Sequence, residues 1–261
     1  MGILHRLRRH PLPLESFLTA REYKTLRRAP VMTPGVATLM GIPTRYSDNT
    51  GFLHSVREVF ADEVYRFRAK RDAPYIVDAG ANIGLSVRYF KNIYPNATVL
   101  AFEPDPQIFA MLEENVRHLP GVELRRTAAW IEDTTLTFYI EGSLAGSSEM
   151  DFLGKGRKVR VPAQRLKREL NRPVDFLKMD IEGAENSVLF DIEDELANVD
   201  HLFFEYHSVP GKPQQLGALL KLVTRNGFRY SINGAHGPRL PFVETVEHGF
   251  DLQLNIFCFR D

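Results

Sequence analysis

The sequence predicts an α/β protein built on a three-layer, doubly wound and mostly parallel sheet. Three observations carry this. From Pro74 onward, short apolar strands alternate with amphipathic helical stretches. The first of these strands runs through a glycine-containing turn straight into a helix. The length of 261 residues, with 44% hydrophobic and 25% charged side chains, suits one large domain with decorations.

Taken in order, Met1–His10 is basic with interleaved apolar residues, and Pro11 and Pro13 interrupt it early. No apolar core of a signal peptide follows, so a solvated or docking arm is expected rather than a targeting signal. Residues 1–71 read as an arm and helical lead-in to the same domain as 72–261. Phe52, Val56, Val59, Phe60, Val64 and Phe67 share one face of a helix expected over Phe52–Arg68. Strands are expected at Tyr75–Val77, Thr98–Phe102, Val122–Leu124, Val174–Met179, His201–Phe204, Phe228–Ile232 and Leu252–Phe259, with a further extended stretch at Thr135–Ile140. The intervening helices fall at Ile83–Ile93, Pro106–Leu119, Ala184–Leu196 and Gln214–Arg225. Pro106 suits a first helical turn, and Gly227 suits a C-terminal stop.

Composition narrows the function classes. Thirty-three basic and 33 acidic residues balance to a net charge of zero, without the basic footprint of general nucleic-acid binders. No apolar run is long enough for a membrane-spanning helix. The single cysteine, Cys258, excludes an intrachain disulfide framework and any multi-cysteine metal site, which favours a cytoplasmic location. Its apolar surroundings read as those of a buried spectator thiol.

Ligands of doubly wound sheets bind beyond the carboxyl ends of the strands. After the first strand comes Asp78-Ala79-Gly80-Ala81-Asn82-Ile83-Gly84. Gly80 allows a tight turn, and Gly84 lets the helix start close to the strand. A dinucleotide fingerprint needs a second glycine where Asn82 stands, which disfavours a pyrophosphate. Asp78 suits the ammonium of an amino-acid moiety. Glu103, nineteen residues beyond Gly84 and after the second strand, suits both hydroxyls of a ribose. Ala128 and Ala129 follow the third strand, where an adenine would be flanked.

Val77–Gly84, Phe102-Glu103-Pro104, Gly146-Ser147-Ser148 and above all Lys178-Met179-Asp180-Ile181-Glu182-Gly183-Ala184-Glu185 resemble the FkbM-type S-adenosylmethionine-dependent methyltransferases. The resemblance covers about Phe60 to Phe228. It implies a seven-stranded Rossmann-like methyltransferase sheet with an antiparallel last strand, S-adenosylmethionine as cofactor, and O-methylation of a small-molecule hydroxyl on a sugar, glycolipid or polyketide-like metabolite. Asp78, Gly80, Ala81, Asn82, Gly84, Glu103, Pro104, Ala128 and Asp180 are the cofactor-binding candidates. One departure precedes the fourth strand, where Val161-Pro162-Ala163-Gln164-Arg165-Leu166 is followed by Lys167 instead of the Leu-Asp pair common in that family.

Asp180 and Glu182 follow the fourth strand, and Glu205 and His207 follow the fifth. Adjacent parallel strand ends bring such groups together, and these four are the catalytic candidates. Methyl transfer to an alcohol needs removal of its proton as the new bond forms. An imidazole with a pKa of about 6.5 is mostly neutral at pH 7, so His207 is the expected base, oriented by Glu205 or Asp180. No metal is expected to be required; if a divalent ion is, Asp180, Glu182, Glu205 and His207 offer ligands for Mg²⁺ or Mn²⁺. Quieter explanations stand beside these: Asp78 as a helix cap, Glu182 and Glu185 as carboxylates at a helix start, His207 as an ordinary loop residue. Two rival functions stay open, a catalytically silent S-adenosylmethionine-binding scaffold and a nicotinamide-dependent oxidoreductase. Acceptor specificity is expected in the N-terminal lead-in, Glu141–Arg160 and Gly234–Gly249, with Gly142–Gly156 as a lid.

Overall fold

The structure, a computed structural model, describes residues 12–140, 146–147, 157–240, 242–244 and 250–260. The expected arm at Met1–His10, most of the Gly142–Gly156 lid and part of the Gly234–Gly249 loop lie outside the described residues. The chain divides into two compact units, Met1–Arg66 and Phe67–Asp261, with the boundary a few residues before the expected 71/72.

The first unit is more structured than expected. Helix α1 (Ala20–Arg28) starts at a reciprocal cap, in which Thr19 Oγ1 accepts the Glu22 N–H and Glu22 accepts the Thr19 N–H. Glu22 also accepts the Thr38 N–H at 2.7 Å, tying α1 to the antiparallel hairpin β1 (Gly35–Leu39) and β2 (Ile42–Tyr46). Asp48 caps α2 (Asn49–Val56) at the N–H groups of Thr50 and Gly51. The helix expected over Phe52–Arg68 is shorter. It widens into a π-type turn at Arg57–Ala61 and stops, because Glu63 takes a left-handed φ of 53° that no helix continues through.

The second unit carries the remaining strands: β3 (Tyr75–Ala79), β4 (Thr98–Phe102), β5 (Val122–Arg125), β6 (Ala128–Trp130), β7 (Thr134–Ile140), β8 (Gly146–Ser147), β9 (Arg157–Arg165), β10 (Phe176–Met179), β11 (His201–Ser208), β12 (Arg229–His236) and β13 (Leu252–Phe259). Its helices are α3 (Leu85–Ile93), α4 (Pro106–Val116), α5 (Glu185–Asp191) and α6 (Leu216–Arg225). Seven strands form the expected sheet in the order β12-β13-β11-β10-β3-β4-β5. β10, β11, β3, β4 and β5 pair in parallel, and β13 inserts antiparallel between β11 and β12. The chain winds outward from β3 through β4 to β5, then returns to β10 and winds the other way. The β3/β10 boundary is therefore the topological switch point, where α/β sheets open a crevice for ligands. Every residue of β3 and of β10 is buried, as expected of central parallel strands.

Three expectations are revised. The helix over Ala184–Leu196 is α5 followed by a separate tight turn at Glu193–Asn198, since Ile192 leaves helical geometry. A second, four-stranded sheet, β6-β9-β7-β8, takes up the Thr135–Ile140 stretch and the Val161-Pro162 segment that departs from the family pattern. Glu205 and His207 lie inside β11, because the antiparallel ladder with β13 extends that strand to Ser208. Cys258 is buried in β13, and burial pushes its thiol up to about 12, so it is inert. No helix of the described residues is long and apolar enough to cross a membrane.

Candidate active site

The loop after β3 is held on all sides. The N–H groups of Gly80 and Ala81 donate to Phe102 O, and the N–H of Gly84 donates to Ala81 O. Gly80, with φ of 85°, passes so close to β10 that a Cβ would overlap the carbonyl oxygen of Asp180. A Cβ on Gly84 would meet Leu112 Cδ1 at 2.7 Å and Val116 Cγ1 at 2.9 Å, so this glycine lets α3 seat against α4. Asn82 also has a left-handed φ, 49°, which asparagine tolerates better than most residues. Asn115, buried on α4, donates to Ile83 O at 2.8 Å and braces the loop from behind.

Glu103 stands beside this loop. Its Oε2 accepts the Asn82 N–H at 3.1 Å and its Oε1 accepts the Asp105 N–H at 2.8 Å. A carboxylate has room for about four donors, so each oxygen keeps a site suited to one hydroxyl of a vicinal diol. Burial pushes the Glu103 carboxyl up to about 8, against these two hydrogen bonds. Pro104 follows, partly exposed, and Asp105 caps α4 at the N–H groups of Gln107 and Ile108.

Asp78 is placed differently from expectation. It is fully buried beneath the loop, where Ser86 Oγ donates to Oδ2 and Lys178 Nζ stands 3.4 Å from Oδ1. There it braces the loop through Ser86 and Lys178. Ala81 is likewise buried, and Ala128 is buried at the start of β6. Ser148 lies outside the described residues.

The acceptor-side candidates do converge. Sheet register sets Lys178 opposite Asp78 and Phe203, and the two-residue period of a strand then puts Lys178, Asp180, Glu205 and His207 on one face. Asp180, Glu205 and His207 each place an oxygen or nitrogen within 4.8 Å of the others. Asp180, Glu182 and Glu205 are partly exposed, whereas His207 and Glu185 lie buried beneath them. The turn after β10 is tight: Glu182 has φ of 54° and Gly183 of 97°, and Glu185 accepts the N–H groups of Ile181 and Gly183 at 2.8 and 2.9 Å.

His207, the expected base, sits among carboxylates. Nδ1 stands 3.3 Å from Glu185 Oε1, Nε2 stands 3.5 Å from Glu182 Oε2, and Phe250 stacks obliquely at 4.7 Å between ring centroids. Burial works against a charge here, but Glu185, Glu182 and Glu205 outweigh it and raise the imidazole well above its ordinary range. These surroundings favour the protonated ring over the neutral form that a general base uses. Burial also raises Glu182, which the facing His207 partly offsets. A proton and a metal ion compete for a ring nitrogen. Asp180, Glu205 and His207 lie close enough for a cation, but the same carboxylates favour a proton on the ring, and no step is derived through a metal.

Sequence reasoning passes over Lys178 and takes Glu185 for an ordinary helix-start carboxylate. Their position in the string Lys178–Glu185 is the signal that could have found them.

A mostly parallel sheet with a glycine loop and a buried carboxylate at its switch point, beside an acidic cluster on the adjacent strands, is the arrangement of a Rossmann-like methyltransferase. Residues 78–230 match the methyltransferase FkbM domain. The chain belongs to this family of S-adenosylmethionine-dependent methyltransferases. It is 31% identical over 170 residues to Methyltransferase 1 of Beauveria bassiana (strain ARSEF 2860), covering 55% of this chain and 68% of that one. It is 26% identical over 210 residues to the 31-O-demethyl-FK506 methyltransferase FkbM of Streptomyces tacrolimicus, covering 66% and 80%. The solved structure of methyltransferase FkbM from Methylobacillus flagellatus KT has the same fold, with a TM-score of 0.50 and 17% identity over 77% of this chain. The match spans 46% of that structure, so this chain accounts for less than half of it.

Proposed function

We propose that the protein transfers a methyl group from S-adenosylmethionine to a hydroxyl of a small molecule of the sugar, glycolipid or polyketide class. The observation that carries this reading is the meeting of two sites at one sheet end. Glu103 offers diol-binding oxygens beside the glycine loop, and partly exposed Asp180, Glu182 and Glu205 line the neighbouring strand ends. When bound, S-adenosylmethionine supplies an electrophilic methyl carbon on a positively charged sulfur. The acidic cluster favours that charge, and Glu103 orients the ribose. The carboxylates that reach solvent are the groups able to take the acceptor's proton. Glu182 is one of them: burial raises its proton affinity, and the facing His207 offsets this in favour of the ionised form that can accept a proton. His207 acts through Glu182: its Nε2 faces Glu182 Oε2 from below and supplies compensating positive charge. Oxygen as the acceptor atom is supported by the relative whose name specifies a 31-O-demethyl substrate.

Calorimetric titration with S-adenosylmethionine, S-adenosylhomocysteine, NADH and NADPH tests the cofactor. Only the sulfur pair should bind, and Glu103→Ala should weaken both. Incubation with methyl-labelled cofactor and a panel of sugar and polyketide alcohols, with NMR of the product, tests the acceptor. A label recovered on nitrogen or carbon would overturn O-methylation, and cofactor binding without transfer to any acceptor would favour the scaffold reading.

A further inference from the structure

Lys178 is a cation in the middle of a central strand, and its surroundings are unusual for a lysine. Its side chain is 3% exposed and that of Asp78 is 0% exposed. An ammonium has three donors and no acceptor. Nζ donates to the carbonyl oxygen of Gly80 at 2.7 Å, and stands 3.4 Å from Asp78 Oδ1 and 3.5 Å from Asp180 Oδ2. One buried charge thus touches the strand before the glycine loop, the turn of the loop itself and the first open carboxylate of the acceptor side.

Stability alone is a poor account of this arrangement. Replacing a buried ion pair by apolar side chains of similar volume is often neutral or stabilising. Two other effects do distinguish a lysine here. The bond to Gly80 O fixes the peptide at the one point where the loop lies against Asp180. The positive charge also offsets Asp78, so that this buried pair adds no net charge beneath the partly exposed carboxylates. Buried charges such as Lys178 and Asp78 are screened much less than exposed ones.

We infer that Lys178 is a positioning residue that anchors the cofactor loop through Gly80 and sets how strongly the site prefers a cationic cofactor to its neutral product. The inference rests on the cofactor reading above. Transfer converts a sulfonium into an uncharged thioether, so S-adenosylmethionine and S-adenosylhomocysteine differ by one charge at sulfur. A site more negative by one unit holds the first more tightly relative to the second, and a site less negative does the reverse. The ratio of the two affinities therefore reads the local charge, and a purely structural role would leave it unmoved.

The experiment is calorimetric titration of both compounds into the wild type, Asp78→Asn and the double variant Asp78→Asn/Lys178→Met. Thermal melts confirm that each is folded. Asp78→Asn keeps a partner for Ser86 and leaves Lys178 paired with Asp180; it makes the site one unit less negative and should lower the affinity ratio by on the order of tenfold. The double variant restores the wild-type charge and should restore the ratio, while both affinities fall by on the order of tenfold through loss of the anchor on Gly80. An unchanged ratio across all three proteins would overturn the charge role. Wild-type affinities in the folded double variant would overturn the anchoring role. A wild type that binds neither compound would instead overturn the cofactor reading itself, an outcome distinct from both.

Discussion

Gly80 and Asp180 lie backbone to backbone at the switch point of the sheet, so close that a Cβ on the glycine would overlap the Asp180 carbonyl oxygen. The Gly80 φ of 85° adds a second reason for glycine. Gly80→Ala should cost about 3 kcal/mol or more of stability, strain and overlap together, and weaken cofactor binding at least tenfold. Gly211 is a built-in control: its φ is 78°, but a Cβ there would meet nothing within 4 Å. Gly211→Ala should cost only the backbone strain, about 1 kcal/mol. Urea unfolding of both variants checks this, and equal losses would refute the close approach as the cause.

Glu103 makes cofactor binding depend on pH. Its carboxyl titrates at about 8, so the free protein holds it mostly protonated at pH 7. Hydroxyl donors favour the ionised form, and binding therefore releases a proton. Affinity for S-adenosylhomocysteine should rise by on the order of tenfold between about pH 6.5 and pH 8.5, and Glu103→Gln should flatten that rise. The stability contribution has the opposite sense. A carboxyl whose folded-state pKa is raised from 4.5 contributes stability that is fully present below 4.5 and is lost as pH rises through about 8. Titrations in buffers of different ionisation enthalpy count the released proton, and no release would exclude Glu103.

How much of this is legible in the sequence differs by element. The strands at Tyr75, Thr98 and Phe176 are mostly apolar and packed into the sheet, a pattern visible in one dimension. The second sheet is hidden because Pro162 sits within β9, between β6 and β7, where proline normally argues against a strand. The helix after Phe52 reads as too long because Val64 and Phe67 keep the apolar spacing after the chain has turned at Glu63. At the site, Gly80, Glu103 and Asp180 are legible from their places after strands. Lys178 is not, since a lysine on a strand ordinarily reads as solvated and only the β3/β10 register sets Asp78 opposite it. The raised proton affinity of His207 is equally out of reach, because it depends on Glu185 and Glu182, which the fold of the β10–α5 turn brings to its two nitrogens.

Chelation should leave the protein unchanged. Asp180, Glu205 and His207 are close enough to suggest a cation site, yet the surrounding carboxylates favour a proton on His207 that a metal would have to displace. Treatment with EDTA should alter neither the melting temperature nor the affinity for S-adenosylhomocysteine. A loss reversed by Mn²⁺ would assign these three residues to a metal instead.

His207 and Glu185 form a buried pair, each side chain only 1% exposed, with the His207 Nδ1 3.3 Å from Glu185 Oε1. Removing one partner of such a pair typically costs about 3–5 kcal/mol, because the other charge is left without compensation. His207→Ala should fall in that range at pH 6, and His207→Ala/Glu185→Gln should lose less than the sum of the single variants. The pH dependence has a definite sign. A histidine whose folded-state pKa is raised above 6.5 contributes stability that is fully present below 6.5 and is lost as pH rises through the raised value. The cost of His207→Ala should therefore shrink toward alkaline pH. Denaturant unfolding of the four proteins at pH 6 and pH 9 measures both effects. A neutral His207, the state a general base requires, would give a cost independent of pH and additive with Glu185→Gln.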